Sequence, residues 1–242
     1  MFKTAFRKIS IIAYTYYNGE PRKFEFKRLT AKDRRRIIYI LNSLVRGMRV
    51  IIVSNAQYCI KAVESEYGTT EHIYADMLAD DEDNGDTLEG RLKKYIDRFG
   101  DEAEAWIAAG LTFGLTRPQL QATFNENVDN PYENTLFMST GETKASATQR
   151  VLNTHYGKGS IRSAFGSLAR LAVYFCASAF REAQRNIPDV RGWLVGRGSS
   201  YPCDICQSQV GIHKDSIDLP PYHSHCCCWA APLTLEEYAL LL

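Results

Sequence analysis

The sequence predicts an α+β fold, mainly α-helical, with a small β-rich module near the C-terminus. Three observations predict it. Apolar residues recur at three- and four-residue steps from Ile37 to Ile52, and again from Ile161 to Ala183, the period of helices with one buried face. Gly192-Trp193-Leu194-Val195 is short, branched and aromatic, and it follows Pro188, which ends the second helix. Five of the seven cysteines and three of the five histidines lie between Cys203 and Cys228. The expected divisions are an N-terminal arm or hairpin over 1–30, a helical domain over 31–190 with an acidic loop at 69–90, the β-rich module over 191–233, and a tail helix over 234–242.

In chain order, Ile11 to Tyr17 is β-branched and aromatic, Asn18-Gly19 is turn-forming, and Lys23 to Lys27 alternates. That pattern predicts a hairpin or an extended arm. Arg22, Lys23, Lys27 and Arg28 then read as a solvated strand face. Thr30 and Asp33 mark a helix start. The helix runs to about Tyr67, with an expected break near Gly47 or Ser54 and a basic side at Arg34-Arg35-Arg36, Arg46 and Arg49. Cys59 reads as a buried, inert thiol.

Gly68 to Gly90 is polar and acidic and reads as an exposed mobile loop. A calcium loop opening at Asp80 would put Gly85 at position six, but Arg91 falls at position twelve, where a bidentate Glu is required. Leu88 to Phe99 reads as a helix stopped by Gly100, and Asp101 to Gly110 as a second. Thr116 and Pro118 start another helix. Asn125 to Gly141 reads as loop, Thr143 to Tyr156 as a short helix, and Thr234 to Leu242 as a tail helix.

The chain has 242 residues, with 29 Lys and Arg against 28 Asp and Glu. That balance gives no global electrostatic case for a nucleic-acid or membrane partner. No window is expected to reach the roughly twenty apolar residues of a membrane span. The apolar N-terminal run is short and lacks a cleavage site, so no export signal is expected. The thiols are then expected in a reducing compartment, which favours metal over disulfide.

Cys203-Asp204-Ile205-Cys206 brings two sulfurs within reach of one ion, and zinc takes four such ligands in a tetrahedron. The second pair comes from His223, His225, Cys226, Cys227 and Cys228. In an extended run Cys226 and Cys228 share a face and Cys227 points opposite. His223 with Cys226, or His223 with Cys228, is the favoured completion. The competing reading is two disulfides and a spare thiol, or a set of buried thiols. With cysteine ligands this plentiful, the zinc is expected to be structural and closed rather than catalytic. Neither the deaminase nor the HExxH spacing is present. Nor is there a phosphate-binding glycine loop or a nucleophile elbow.

Cys203, Cys206, Gly211, Pro220-Pro221-x-His223-x-x-Cys226-x-Cys228 and Pro232 together resemble the C-terminal signature of the phage Mu F-like minor head proteins, or phage head morphogenesis proteins. Cys227 stands where that family usually has Arg, and His225 where Asn is common; both departures add candidate ligands. A looser similarity extends into the preceding helix, with Arg170, Arg181 and Glu182 as candidate equivalents. The resemblance implies a non-enzymatic virion component that acts in capsid assembly near the portal, passing through the host cytoplasm during assembly. It implies the portal, the major capsid protein or further copies of itself as partners, with packaged DNA a weaker expectation. Two alternatives are a cytosolic zinc-ribbon protein that binds nucleic acid, and a toxin or enzyme module. Near-neutral charge argues against the first, and the lack of a second recognisable domain against the other.

Overall fold

The structure, a computed structural model, describes residues 1–16, 24–82, 86–129, 161–198, 203–214, 219–222 and 228–241. It is mainly helical, with a three-stranded antiparallel sheet near the C-terminus, as the sequence predicts. The chain forms two compact units, Met1–Met48 with Glu89–Leu168, and Arg49–Leu88 with Ala169–Leu242.

The first unit corrects the N-terminal expectation. Phe2–Thr15 is a helix, α1, rather than an arm or hairpin. Its composition favours a strand locally, but Phe2, Ala5, Phe6, Ile9, Ile12 and Ala13 fall at helical spacing and are buried. Phe6 stacks on Phe124 with ring centroids 3.8 Å apart. Tyr14 Oη donates to the Leu115 carbonyl at 2.8 Å. Burying this face outweighs the strand preference of its β-branched residues. The expected second strand is instead a single 3-10 turn, Phe26–Arg28. Asn18-Gly19 lies outside the described residues.

Helix α2, Ala31–Tyr67, is capped as expected: Asp33 N donates to Thr30 Oγ1 at 3.2 Å, and that hydroxyl donates to Asp33 Oδ2 at 2.7 Å. It does not break at Gly47 or Ser54. A Cβ at Gly47 would displace the end of the Met1 side chain, which rests on this glycine. By length and composition alone α2 is sufficient to cross a membrane, against expectation. In the structure Ile37, Leu44 and Val45 are buried in the first unit and Ile52, Val53, Ala56, Ile60 and Val63 in the second, while Ile38, Val50 and Ile51 are exposed.

Leu88–Thr112 is one helix, α4, where the sequence predicts two separated at Gly100. A Cβ at Gly100 would lie 2.9 Å from Leu41 Cδ1, so this glycine serves a helix contact, not a stop. Helix α5, Arg117–Asp129, runs through Asn125, where a loop is predicted. Its start is fixed by Thr116, whose N–H and hydroxyl both donate to Gln119 Oε1, at 2.9 and 2.8 Å. The predicted helix at 143–156 lies outside the described residues.

In the second unit, the acidic stretch predicted as a loop contains a short helix, α3, Ala75–Asp80. Ala75 and Ala79 bury its inner side, and Arg49 on α2 donates to Asp76 Oδ1 at 2.9 Å and Asp80 Oδ1 at 2.7 Å. Arg49 therefore does not extend the basic side expected of α2. Helix α6, Ile161–Arg185, buries Leu171, Phe175, Ala179 and Ala183 in this unit and ends before Pro188. The sheet consists of β1 Gly192–Gly196, β2 Gly211–His213 and β3 Trp229–Leu233, in the order β2-β1-β3. Pro232, which lacks an N–H, sits on an edge strand as sheet geometry requires. A short helix α7, Asp204–Gln207, lies between β1 and β2, and helix α8, Leu235–Leu241, closes the fold. Thr234 and Glu237 cap α8 reciprocally, at 2.9 and 3.3 Å.

Candidate metal centre

Sheet register decides where the candidate ligands go. β1 is central and antiparallel to both neighbours. Val195 pairs with Gly211, and Gly196 pairs with Trp229. The end of β1, the start of β2 and the start of β3 therefore share one end of the sheet. Cys203 and Cys206 lie in the β1–β2 connection, and Cys228 immediately precedes Trp229. The fold thus brings the Cys-x-x-Cys pair and the last cysteine of the chain to the same end.

The Cys-x-x-Cys pair is built on α7. Cys203 is its extended N-cap residue, and the Cys203 carbonyl accepts from Gln207 N at 2.8 Å. Cys206 is buried, and its carbonyl accepts from Gln209 N at 3.2 Å. The Cys206 N–H, then the Cys206 thiol and the Ile205 N–H, hold the Cys203 thiol below its ordinary range, with the Arg197 charge assisting. A first-turn N–H directed at sulfur favours the thiolate, the form that ligates zinc. Arg197 is itself held by Gln207 Oε1 at 2.9 Å. Gly211, the glycine of the motif, has φ +136, a conformation that side-chain-bearing residues rarely adopt.

Among the described residues, the module's core holds four buried residues, Trp193, Val195, Leu219 and Ala230, with Val190 and Tyr222 packed against it. Gln184 on α6 donates to the Ala230 carbonyl at 2.9 Å in a buried position, securing β3 to the helix. The Trp229 indole lies over Gly196, where a Cβ would overlap the ring. Sequence reasoning passed over Arg197 and Trp229, because only the register brings them to the site.

Cys203, Cys206 and Cys228 are not disulfide-bonded. His223, His225, Cys226 and Cys227 lie outside the described residues. Among the described residues, no three His, Cys, Asp or Glu side chains converge as a metal-ligand set. The described half fits zinc in its chemistry: two cysteines on one turn, one of them poised toward thiolate.

Elsewhere, burial pushes the Cys176 thiol up to about 11 and the Cys59 thiol in the same direction, so neither is poised for nucleophilic work. Cys59 is half-buried rather than enclosed. Glu182 is held by Arg185 through both carboxylate oxygens, at 2.8 and 2.9 Å, with Arg181 Nε 3.3 Å away. The side chain of Arg170 is outside the described residues. His72 is at the surface, 3.4 Å from Glu64. Comparison with family models, with curated proteins and with solved structures gave no match.

Proposed function

We propose that the chain is a phage minor head protein, a structural virion component that acts in capsid assembly near the portal. Its C-terminal module is held by a structural zinc ion. The observation that carries this reading is the register that gathers Cys203, Cys206 and Cys228 at one end of a sheet whose core, among the described residues, has four members. So small a core gains from a metal cross-link, and zinc binding contributes on the order of 10 kcal/mol to folding in comparable modules. Cys203 and Cys206 would supply half of the ligands. His223 with Cys226 or Cys228 would complete them. The ion's contribution is to fix the β1–β2 connection to the start of β3. The resemblance of the cysteine, histidine and proline spacing to the minor head signature supports the assignment to the phage head.

Zinc content of the purified chain, with thiol titration and circular dichroism before and after chelation, tests the site. One zinc per chain, lost in Cys203→Ser and in Cys206→Ser, is expected. A chain free of metal, with its thiols paired or all titratable, would sink the zinc reading. Mass spectrometry of purified particles tests the location, and absence of the chain from assembled heads would overturn the virion assignment.

A further inference from the structure

The near-zero net charge conceals a segregation of charge along the chain. Residues 27–36 carry six Lys and Arg against one Asp. Residues 64–88 carry nine Asp and Glu and no Lys or Arg. The basic stretch belongs to the first unit and the acidic one to the second.

Each stretch also presents exposed apolar side chains among its charges. On the first half of α2, Arg35, Tyr39 and Arg46 follow one another at helical spacing, with Arg34 and Ile38 beside them, and all five are exposed. Tyr39 and Ile38 are 68% and 54% exposed, and the Arg46 guanidinium lies 5.9 Å from the Tyr39 ring centre. Around α3, Tyr74 and Met77 are 59% and 67% exposed, bordered by exposed Asp81 and Glu82 and by Asp76 and Asp80, which share Arg49. Tyr, Met and Arg among charges of one sign resemble the composition of a protein-binding surface rather than of ordinary solvated surface. The two patches are opposite in charge and alike in apolar content.

We infer that two copies of this chain associate head to tail, the basic face of α2 in one copy docking on the acidic surface around α3 in the next. Such an interface is heterologous: it uses two different patches, leaves one of each unsatisfied at the ends, and extends to a ring or an open chain. This inference rests on neither the zinc site nor the phage reading.

The test is sedimentation velocity of the full chain over a range of concentrations, in about 50 mM and about 1 M salt, which shortens the screening length to about 3 Å. Concentration-dependent association is expected at low salt and its loss at high salt. Arg34→Glu with Arg35→Glu makes both patches acidic; Asp81→Lys with Glu82→Lys turns the acidic surface toward basic. Each double variant is expected to weaken self-association by about tenfold or more. An equimolar mixture of the two variants is expected to restore association, because opposite patches then meet across unlike copies. A wild-type chain that is monomeric at every concentration, or a mixture that stays unassociated, overturns the inference. So does a wild type that binds a DNA duplex through Arg34 and Arg35 without self-associating, which would assign this face to a polyanion.

Discussion

Replacing Glu102 by glutamine should raise stability at alkaline pH and leave it almost unchanged in acid. Glu102 lies on α4 with only 3% of its surface exposed. Burial, and to a lesser degree the neighbouring Asp101 charge, push its carboxyl from an ordinary 4.5 up to about 8. Arg98 Nε, 3.4 Å from Oε1, and the Ala164 N–H in the first turn of α6 oppose that rise, but neither carboxylate oxygen completes a hydrogen bond. The folded chain therefore holds a proton that the unfolded chain releases. Stability is unaffected well below pH 4.5, falls as pH rises from 4.5, and levels off above about 8. The ceiling on that loss, at about 1.4 kcal/mol per pH unit across the interval, is about 5 kcal/mol. Relaxation of the site lowers the figure, so about 2–5 kcal/mol is expected in favour of Glu102→Gln at alkaline pH, against less than about 0.5 kcal/mol at pH near 4. Urea unfolding of both proteins at the two pH values gives this double difference and cancels every other titrating group. An advantage of equal size at both pH values would refute the reasoning.

Two further substitutions test the fold. Phe6→Ala removes a fully buried ring stacked on Phe124 and should cost about 3–5 kcal/mol in urea unfolding; a loss below about 1 kcal/mol would mean that α1 is not a core helix. Gly192→Ala places a methyl 2.7 Å from the Tyr238 ring and 2.9 Å from the His213 carbonyl, so the β1–β2 pairing must shift. It should cost about 1–3 kcal/mol and lower amide protection along β1, whereas unchanged protection would contradict the packing described.

Elements whose evidence is local were legible in the sequence. The stripe from Ile37 to Ile52, the caps at Thr30 and Thr116, the tail helix and the strand at Trp193 all depend on neighbours a few residues away. Helix α1 was not legible, because Ile11 to Tyr17 has strand composition and its burial depends on Phe124 and Leu115, over a hundred residues on. Gly47 and Gly100 read as breaks for a related reason. Helix propensity penalises glycine by about 1 kcal/mol, but the Met1 and Leu41 side chains pack directly onto these two positions. At the candidate metal centre, the Cys203–Cys206 half was visible from spacing alone. That Cys228 returns to the same end of the sheet depends on the β2-β1-β3 order, which no local pattern encodes.

The two units are interleaved along the chain: residues 49–88 of the second interrupt the first, and residues 89–168 of the first interrupt the second. A single cut in the gene cannot isolate either unit: residues 1–168 hold the first whole but carry 49–88 of the second, and residues 49–242 hold the second whole but carry 89–168 of the first. A truncation that spares one unit therefore leaves an orphan piece of the other attached, and a single crossover cannot exchange one unit alone between relatives. During synthesis, residues 49–88 leave the ribosome before the first unit has its last helical turns. The second unit can complete its fold only after residues 169–242 have followed.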